Sequence, residues 1–243
     1  MEWATTIFPL ENRIEPSDFV GRIWRTRSVP EKAMISVAVP HWQIVVVKNS
    51  RGPTSVIVRG PETTASIVEI PQDAEFLGIE FKLGTFMPAL AVKMLVDVGR
   101  ELNAVSKTKF NLAGSSWEIP SFENAVDFVT HLARDGALVR DSVVEQILLR
   151  KPVAITERSV QRRFLRATGL TYGAVRQIER AERTAALLTA GTSILDAVEI
   201  AGYSDQAHMT RSLQRFLGKT PGRLVRASPS GVVFFQDLDP PEL

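Results

Sequence analysis

Near residue 120 the apolar residues of this 243-residue chain change their spacing, so two architectures have to share one polypeptide. From Ser121 almost to Arg226 they recur at helical intervals, interrupted by Gly136, Gly169, Gly191 and Gly202 where helices can end. Before that point they fall in short β-branched runs divided by turn residues. Ile35, Val37 and Val39, then Ile44–Val47, are broken by Pro40-His41, and Gly52-Pro53 precedes the run Ser55–Arg59. Ala65–Ile70 and Glu75–Leu83 continue the series, punctuated by Pro71 and Gly84.

These patterns predict an α+β chain. Residues 1–119 form a small antiparallel β-sandwich or cupin-like barrel, with a helix over Leu90–Leu102 near its end. Residues 120–228 form an all-α domain, and 229–243 a tail in which Val232–Phe235 can pack back on a domain. Residues 106–120 read as a connecting stretch, with Ser121 as the cap of the helix that follows and the boundary near 118–120.

Charge divides along similar lines. Residues 1–136 hold 14 Lys and Arg against 16 Asp and Glu, whereas residues 137–228 hold 15 against 8. The last fifteen residues carry three acids and no base. A basic module beside a neutral-to-acidic one suits a polyanion-binding unit joined to something else, although a solvated face can also be basic.

Within the helical half, Ser193 caps a helix whose Ile194, Ala197, Val198 and Ala201 share a face. Gly202 stops it, and Ser204 caps a second helix with the stripe Met209, Leu213, Phe216 and Leu217. This is helix-turn-helix punctuation. The outward face of the second helix, about residues 205–217, shows Ala207, His208, Arg211, Gln214 and Arg215. Arginine suits guanine, a small apolar side chain suits the thymine methyl, and phosphate is within reach of the same arginines. Asp205 complements the positive helix end.

Upstream, Thr156 caps a helix over about 157–167 that ends at Gly169. Val160 and Phe164 mark its buried side, and Arg158, Gln161, Arg162 and Arg166 lie mostly away from it. Between the two units a rod over Tyr172–Ala190, capped by Thr171, buries Val175, Ile178, Ala185 and Leu188. Its length, roughly 28 Å at about 1.5 Å per residue, can hold two recognition helices near the 34 Å or so that separates successive major grooves.

These residues resemble the AraC/XylS family of transcription regulators over roughly 137–226. The strongest match is Ala201-Gly202-Tyr203-Ser204-Asp205-Gln206 with His208, Arg211, Phe216, Gly218, Thr220 and Pro221. Ser159–Phe164, Thr168-Gly169 and Arg183 with Ala186-Leu187-Leu188 extend it. The resemblance implies base-reading positions at Arg158, Gln161 and Arg162, and at Gln206, Ala207, His208 and Arg211. It also implies core positions at Phe164, Tyr203 and Phe216. Its partners would be double-stranded promoter or operator DNA, a second copy in a homodimer, RNA polymerase, and a small-molecule effector held by a barrel-like N-terminal domain. One departure stands out: the family's glycine turn before the first recognition helix is replaced by Lys151-Pro152-Val153-Ala154-Ile155, and proline is costly inside a helix.

No catalytic or metal constellation is legible. The chain has no cysteine, and His41, His131 and His208 have no ligand spacing. Neither a nucleophile elbow nor a phosphate loop is present, so no cofactor is expected. Pro40-His41-Trp42 can line a barrel mouth with Trp3 and Trp24, although Trp42 also suits simple core, and an aromatic-lined cavity would favour a small organic ligand. The sequence shows no signal segment or membrane span, which points to the cytoplasm. Two other readings are an enzyme on the barrel, disfavoured by the missing clusters, and a helical protein adaptor, disfavoured by the arginines on both recognition helices.

Overall fold

The structure is a computed structural model that describes residues 11–28 and 33–226. Trp3 and the tail 229–243 lie outside the described residues. The strand-rich half contains β1 (Glu11–Arg13), β2 (Val20–Arg27), β3 (Ala33–Ser36), β4 (Gln43–Asn49), β5 (Thr54–Arg59), β6 (Ser66–Glu69), β7 (Ala74–Phe81), β8 (Thr85–Phe86) and β9 (Gly99–Glu101). Six of them form an antiparallel sheet in the order β1-β2-β7-β4-β5-β9, and β3 pairs with β6 as a separate ribbon.

The alternation of side chains along each strand gives the sheet two buried faces. Ile23, Ile44, Val46, Val56, Val58 and Ile79 belong to the main core. On the other face Trp24, Val45, Val47 and Ala74 form a smaller cluster with Ile57 and Phe76 packed against it. Cover on both sides explains why Ile44–Val47 reads as an unbroken apolar run and not as an alternation.

Two parts of this half differ from the sequence expectation. Leu90–Leu102 is not a continuous helix but a short 3-10 helix, Val92–Leu95, followed by β9. Asp97 between them takes a positive φ of 60°, and its carboxylate accepts from Thr63 N at 2.6 Å and Thr63 Oγ1 at 2.7 Å. The chain there completes the sheet edge against β5, and that long-range pairing overrides the helical spacing of Leu90, Met94 and Val98. Residues 106–120 hold a hairpin, β10 (Lys109–Leu112) and β11 (Ser115–Glu118). Ala113 and Gly114 both have positive φ at its turn, the requirement of a tight type I′ connection.

The helices are α1 (Ala125–Arg134), α2 (Ser142–Leu148), α3 (Glu157–Thr168), α4 (Tyr172–Thr189), α5 (Ile194–Ile200), α6 (Gln206–Leu217) and α7 (Pro221–Arg226). The N-cap of α1 is Asn124 and not Ser121; the two residues exchange hydrogen bonds in the turn before it. α1 packs on the strand-rich half, with Phe128 against Phe110 and Trp117. After it, β12 (Val139–Arg140) pairs with β8. The segment between 120 and 148 is thus built into both halves, and packing does not separate at 118–120. The main core runs without a break from the sheet into Phe164, Ile178, Leu188, Met209 and Leu213 of the helices.

Gly78, in the middle of β7, lies directly beneath the Trp24 indole, and an added Cβ would overlap the ring. Because that ring is buried and must shift to make room, we expect Gly78→Ala to destabilise the chain by about 1–3 kcal/mol in urea unfolding. An unchanged midpoint would show that Trp24 is free to move.

Candidate nucleic-acid interface

The first helix-turn-helix is α2, a turn, and α3. Asp141 caps α2, its side chain accepting from Val143 N and Val144 N. No glycine follows, and the structure shows what replaces one: Arg150 itself adopts a left-handed φ of 54°. The extended segment Lys151-Pro152 then leads to α3, where Thr156 accepts from Ser159 N at the start and Gly169 closes the helix with φ 75°.

Arg158, Gln161 and Arg162 are exposed on the first two turns of α3, and the Gln161 amide donates to Glu157 at 3.3 Å. Farther along, Arg163 and Arg166 reach the buried Asp141 carboxylate at 3.2 Å and 3.1 Å, and the Arg166 guanidinium lies over the Phe86 ring. Arg166 is therefore separated in role from the other three: it faces the strand-rich half. Gly169 packs on Val92 and Val96 of that half.

α4 matches the expected rod, with Thr171 as its cap and Val175, Ile178, Ala185 and Leu188 buried. The second unit also follows the expected stripe, with Ala197 buried and Ile194, Val198 and Ala201 partly so. Gly202 turns the chain with φ 69°. Buried Tyr203 is held there by its hydroxyl on Ser212 Oγ at 3.1 Å and by the Arg180 guanidinium of α4, 4.2 Å from the ring centroid. Arg180 also donates to the Gly202 carbonyl at 3.4 Å. Sequence spacing gave no sign of this brace, because the contact is made across twenty-odd residues.

The cap of α6 is Asp205, one residue later than the expected Ser204. Its carboxylate accepts from His208 N at 2.7 Å. That backbone hydrogen bond, then the one from Ser204, holds the Asp205 carboxyl below the usual carboxylate range. His208 is half-buried, its Nδ1 at 3.1 Å from Ser204 Oγ and its ring edge-on to Tyr203. Gln206, Ala207, Arg211, Gln214 and Arg215 are exposed, while Met209, Leu213, Phe216 and Leu217 are buried. The last turn of α6 is docked: the carbonyls of Phe216 and Arg215 accept from Ala38 N at 2.7 Å and Ala65 N at 2.8 Å. The Arg215 guanidinium lies over the Phe216 ring.

Both candidate recognition helices thus share one disposition. Their C-terminal ends rest on the strand-rich half and their basic or polar N-terminal ends are open. The N-terminal residues of such helices are the ones that meet base edges in helix-turn-helix complexes.

The residues expected at the barrel mouth are placed differently from one another. His41 and Trp24 line a cavity of about 260 Å³ between the sheet and the β3–β6 ribbon. Trp42 does not; it is core, stacked on Phe81 at 4.0 Å and donating to Thr85 O at 2.7 Å. At the cavity wall Glu80 takes Arg22 at 2.8 Å and His41 at 3.0 Å. Burial opposes ionisation of Glu80, but His41 and Arg22 together outweigh it and hold its carboxyl below the usual range. Glu62 likewise takes Ser36 and Arg59.

Residues 150–227 match the family model described as a helix-turn-helix domain. The C-terminal region is a helix-turn-helix domain of the AraC type. Among solved structures the chain is similar to ToxT from Vibrio cholerae, at 10% identity over 89% of this chain and 97% of that one, with a TM-score of 0.37. It is also similar to ToxT from Vibrio cholerae O395 bound to (E)-4-(8-methylnaphthalen-1-yl)but-3-enoic acid, at 8% identity over 89% and 98% of the two chains, with a TM-score of 0.39. A comparison with curated proteins finds no significant match. Among the described residues no helix is long and apolar enough to cross a membrane.

Two expectations follow. Asp141→Ala removes the α2 cap and the anchor of Arg163 and Arg166 together, and should lower stability by about 2 kcal/mol in urea unfolding; a change within error would show that neither contact holds α3. The second concerns Glu182, buried on α4 with its carboxyl pushed up to about 8 by burial first, then by Glu179 and Glu80, with Arg22 acting in the opposite sense. The folded chain keeps this proton up to about pH 8, whereas the unfolded chain releases it near the ordinary 4.5. Between those values the native state binds more protons, so stability falls as pH rises. Glu182→Gln should flatten the thermal midpoint between pH 5 and 8, measured by circular dichroism, and raise it at pH 8. An unaltered slope would contradict the assignment.

Proposed function

We propose that this chain is a sequence-specific regulator of transcription that places the N-terminal halves of α3 and α6 in successive major grooves of duplex DNA. The observation that carries the reading is the pair of open helix starts, one on the helix that precedes α4 and one on the second unit packed against it. The 18 residues of α4 span roughly 27 Å, and each recognition helix adds its own width toward the groove spacing of about 34 Å. Arg158, Gln161 and Arg162 serve the first groove, and Gln206, Ala207 and Arg211 the second. His208 packs against Ser204 and Tyr203, which suits it to fix the helix start and reach DNA only at its edge. Arg215 is exposed near the docked end and suits phosphate, while Arg166 anchors α3 through Asp141.

The DNA-binding unit runs from α2, which supplies the first helix of the first unit just ahead of the family match at residue 150, to Arg226. The strand-rich half serves as a sensory domain with its effector in the cavity beside His41 and Trp24. The protein acts in the cytoplasm, where the DNA is.

Arg162→Ala and Arg211→Ala provide the test, by gel shift against duplexes selected from a random pool. Each should cost about 1–3 kcal/mol and relax base preference in one half of the bound site. Equal weakening on every sequence would assign that arginine to phosphate, and no weakening with either variant would overturn the reading.

A further inference from the structure

The two helix-turn-helix units close their first helices with the same motif but fill it with different residues. After α5 the N–H of Gly202 donates to the Glu199 carbonyl at 3.0 Å, and that of Tyr203 to the Val198 carbonyl at 2.9 Å. After α2 the N–H of Arg150 donates to the Ile147 carbonyl at 3.0 Å, and that of Lys151 to the Gln146 carbonyl at 2.8 Å. Both are Schellman closures, in which the residue after the C-cap takes a left-handed φ. Gly202 reaches 69° without a steric penalty, whereas Arg150 reaches 54° with its Cβ crowded by backbone carbonyl oxygen. Glycine would close α2 with less strain, so nothing in the closure itself calls for arginine.

Beyond the closure the two turns diverge. Tyr203 turns inward and is buried, and Asp205, the cap of α6, comes three residues after Gly202. Lys151 stays exposed, and Thr156, the cap of α3, comes six residues after Arg150. Every residue of 149–156 is exposed except the half-buried Val153. Among the described residues neither Arg150 nor Lys151 makes a side-chain hydrogen bond or ion pair. The acids of the same unit are engaged elsewhere: Asp141 by Arg163 and Arg166, Glu145 by Arg140, and Glu157 by Gln161. The longer turn therefore carries two positive charges with no internal partner.

We infer that Arg150 and Lys151 form a phosphate clamp that grips the DNA backbone at the rim of the groove receiving α3, without reading base sequence. The inference rests on the two-groove reading above. A major groove about 12 Å wide has a phosphate strand along each rim, and the chain leading to a helix start inside it must pass one of them. In the first unit the passing segment offers an arginine and a lysine. In the second, residues 201–207 contain no base, so the clamp belongs to the first half-site alone.

The test measures affinity of the full chain for its selected duplex by fluorescence anisotropy across a range of salt concentrations. Arg150→Gly should fold with a thermal midpoint no lower than that of the parent, because glycine suits the left-handed φ. It should nevertheless bind about fivefold to tenfold more weakly at about 0.1 M salt. The slope of log K against log salt should become shallower by about one for Arg150→Gly, and by about two when Lys151→Gln is added. Base preference should not change, and Arg150→Lys should restore the parental slope. Phosphate ethylation should cease to interfere beside the half-site whose base preference Arg162→Ala relaxes. An unchanged slope in the double variant overturns the clamp, as does a loss confined to particular base pairs or a loss that Arg150→Lys shares. The failure of the underlying reading looks different: the parent then binds no duplex at all, and the clamp falls with it. Parental binding with an unchanged slope in the double variant removes the clamp alone.

Discussion

Burial of one face of α4 sets the geometry of the helical half. Val175, Ile178, Ala185 and Leu188 lie on that face, with Ala181 between them, all essentially inaccessible. The two alanines let neighbouring backbones approach closely, and α5, α6 and α7 all pack on α4. α3 touches the rod near its N-terminal end, where Tyr172 meets Phe164 edge-on at 5.4 Å. This packing on α5, α6 and α7 supports the rod along its length and sets how the two units are spaced. Arg180 extends the control to the turn of the second unit, because its guanidinium covers Tyr203 and reaches Gly202.

The strand-rich half adds a second constraint at the opposite end of each recognition helix. α3 is tied by Arg163 and Arg166 to Asp141, and α6 by its last carbonyls to the β3–β6 ribbon. These ties differ in kind. The first joins two exposed arginines to a buried carboxylate that also caps α2, so it links the two helices of one unit. The second consists of backbone hydrogen bonds to a short ribbon, which is a softer support than the six-stranded sheet.

Much of the helical half was legible because its signals are local. Thr156, Thr171 and Ser193 cap the helices they precede, and Gly169, Gly202 and Gly218 terminate helices in the left-handed conformation. The stripes follow from helical periodicity alone. The failures were contacts distant in sequence. The helix expected over Leu90–Leu102 gave way to a sheet edge set by Thr63 and β5, and the hairpin at 109–118 was hidden because Ala113 stands where Asn or Gly usually marks such a turn. Arg150 performs the turn that a glycine would have announced. In the candidate site, Arg158, Gln161, Arg162, Gln206, Ala207 and Arg211 emerge exposed as their periodicity required, whereas the engagement of Arg166 by Asp141 depends on packing that no spacing rule encodes. Trp42, which the sequence already suited to simple core, is core, and the fold turns Trp24 to the cavity.

The most direct examination of the two-groove account is a hydroxyl-radical and guanine-methylation footprint of the full chain on a duplex selected for binding. The account predicts two clusters of major-groove contacts on one face of the DNA, their centres about one helical turn, roughly 10 base pairs, apart. A single cluster, or two on opposite faces of the duplex, would contradict it.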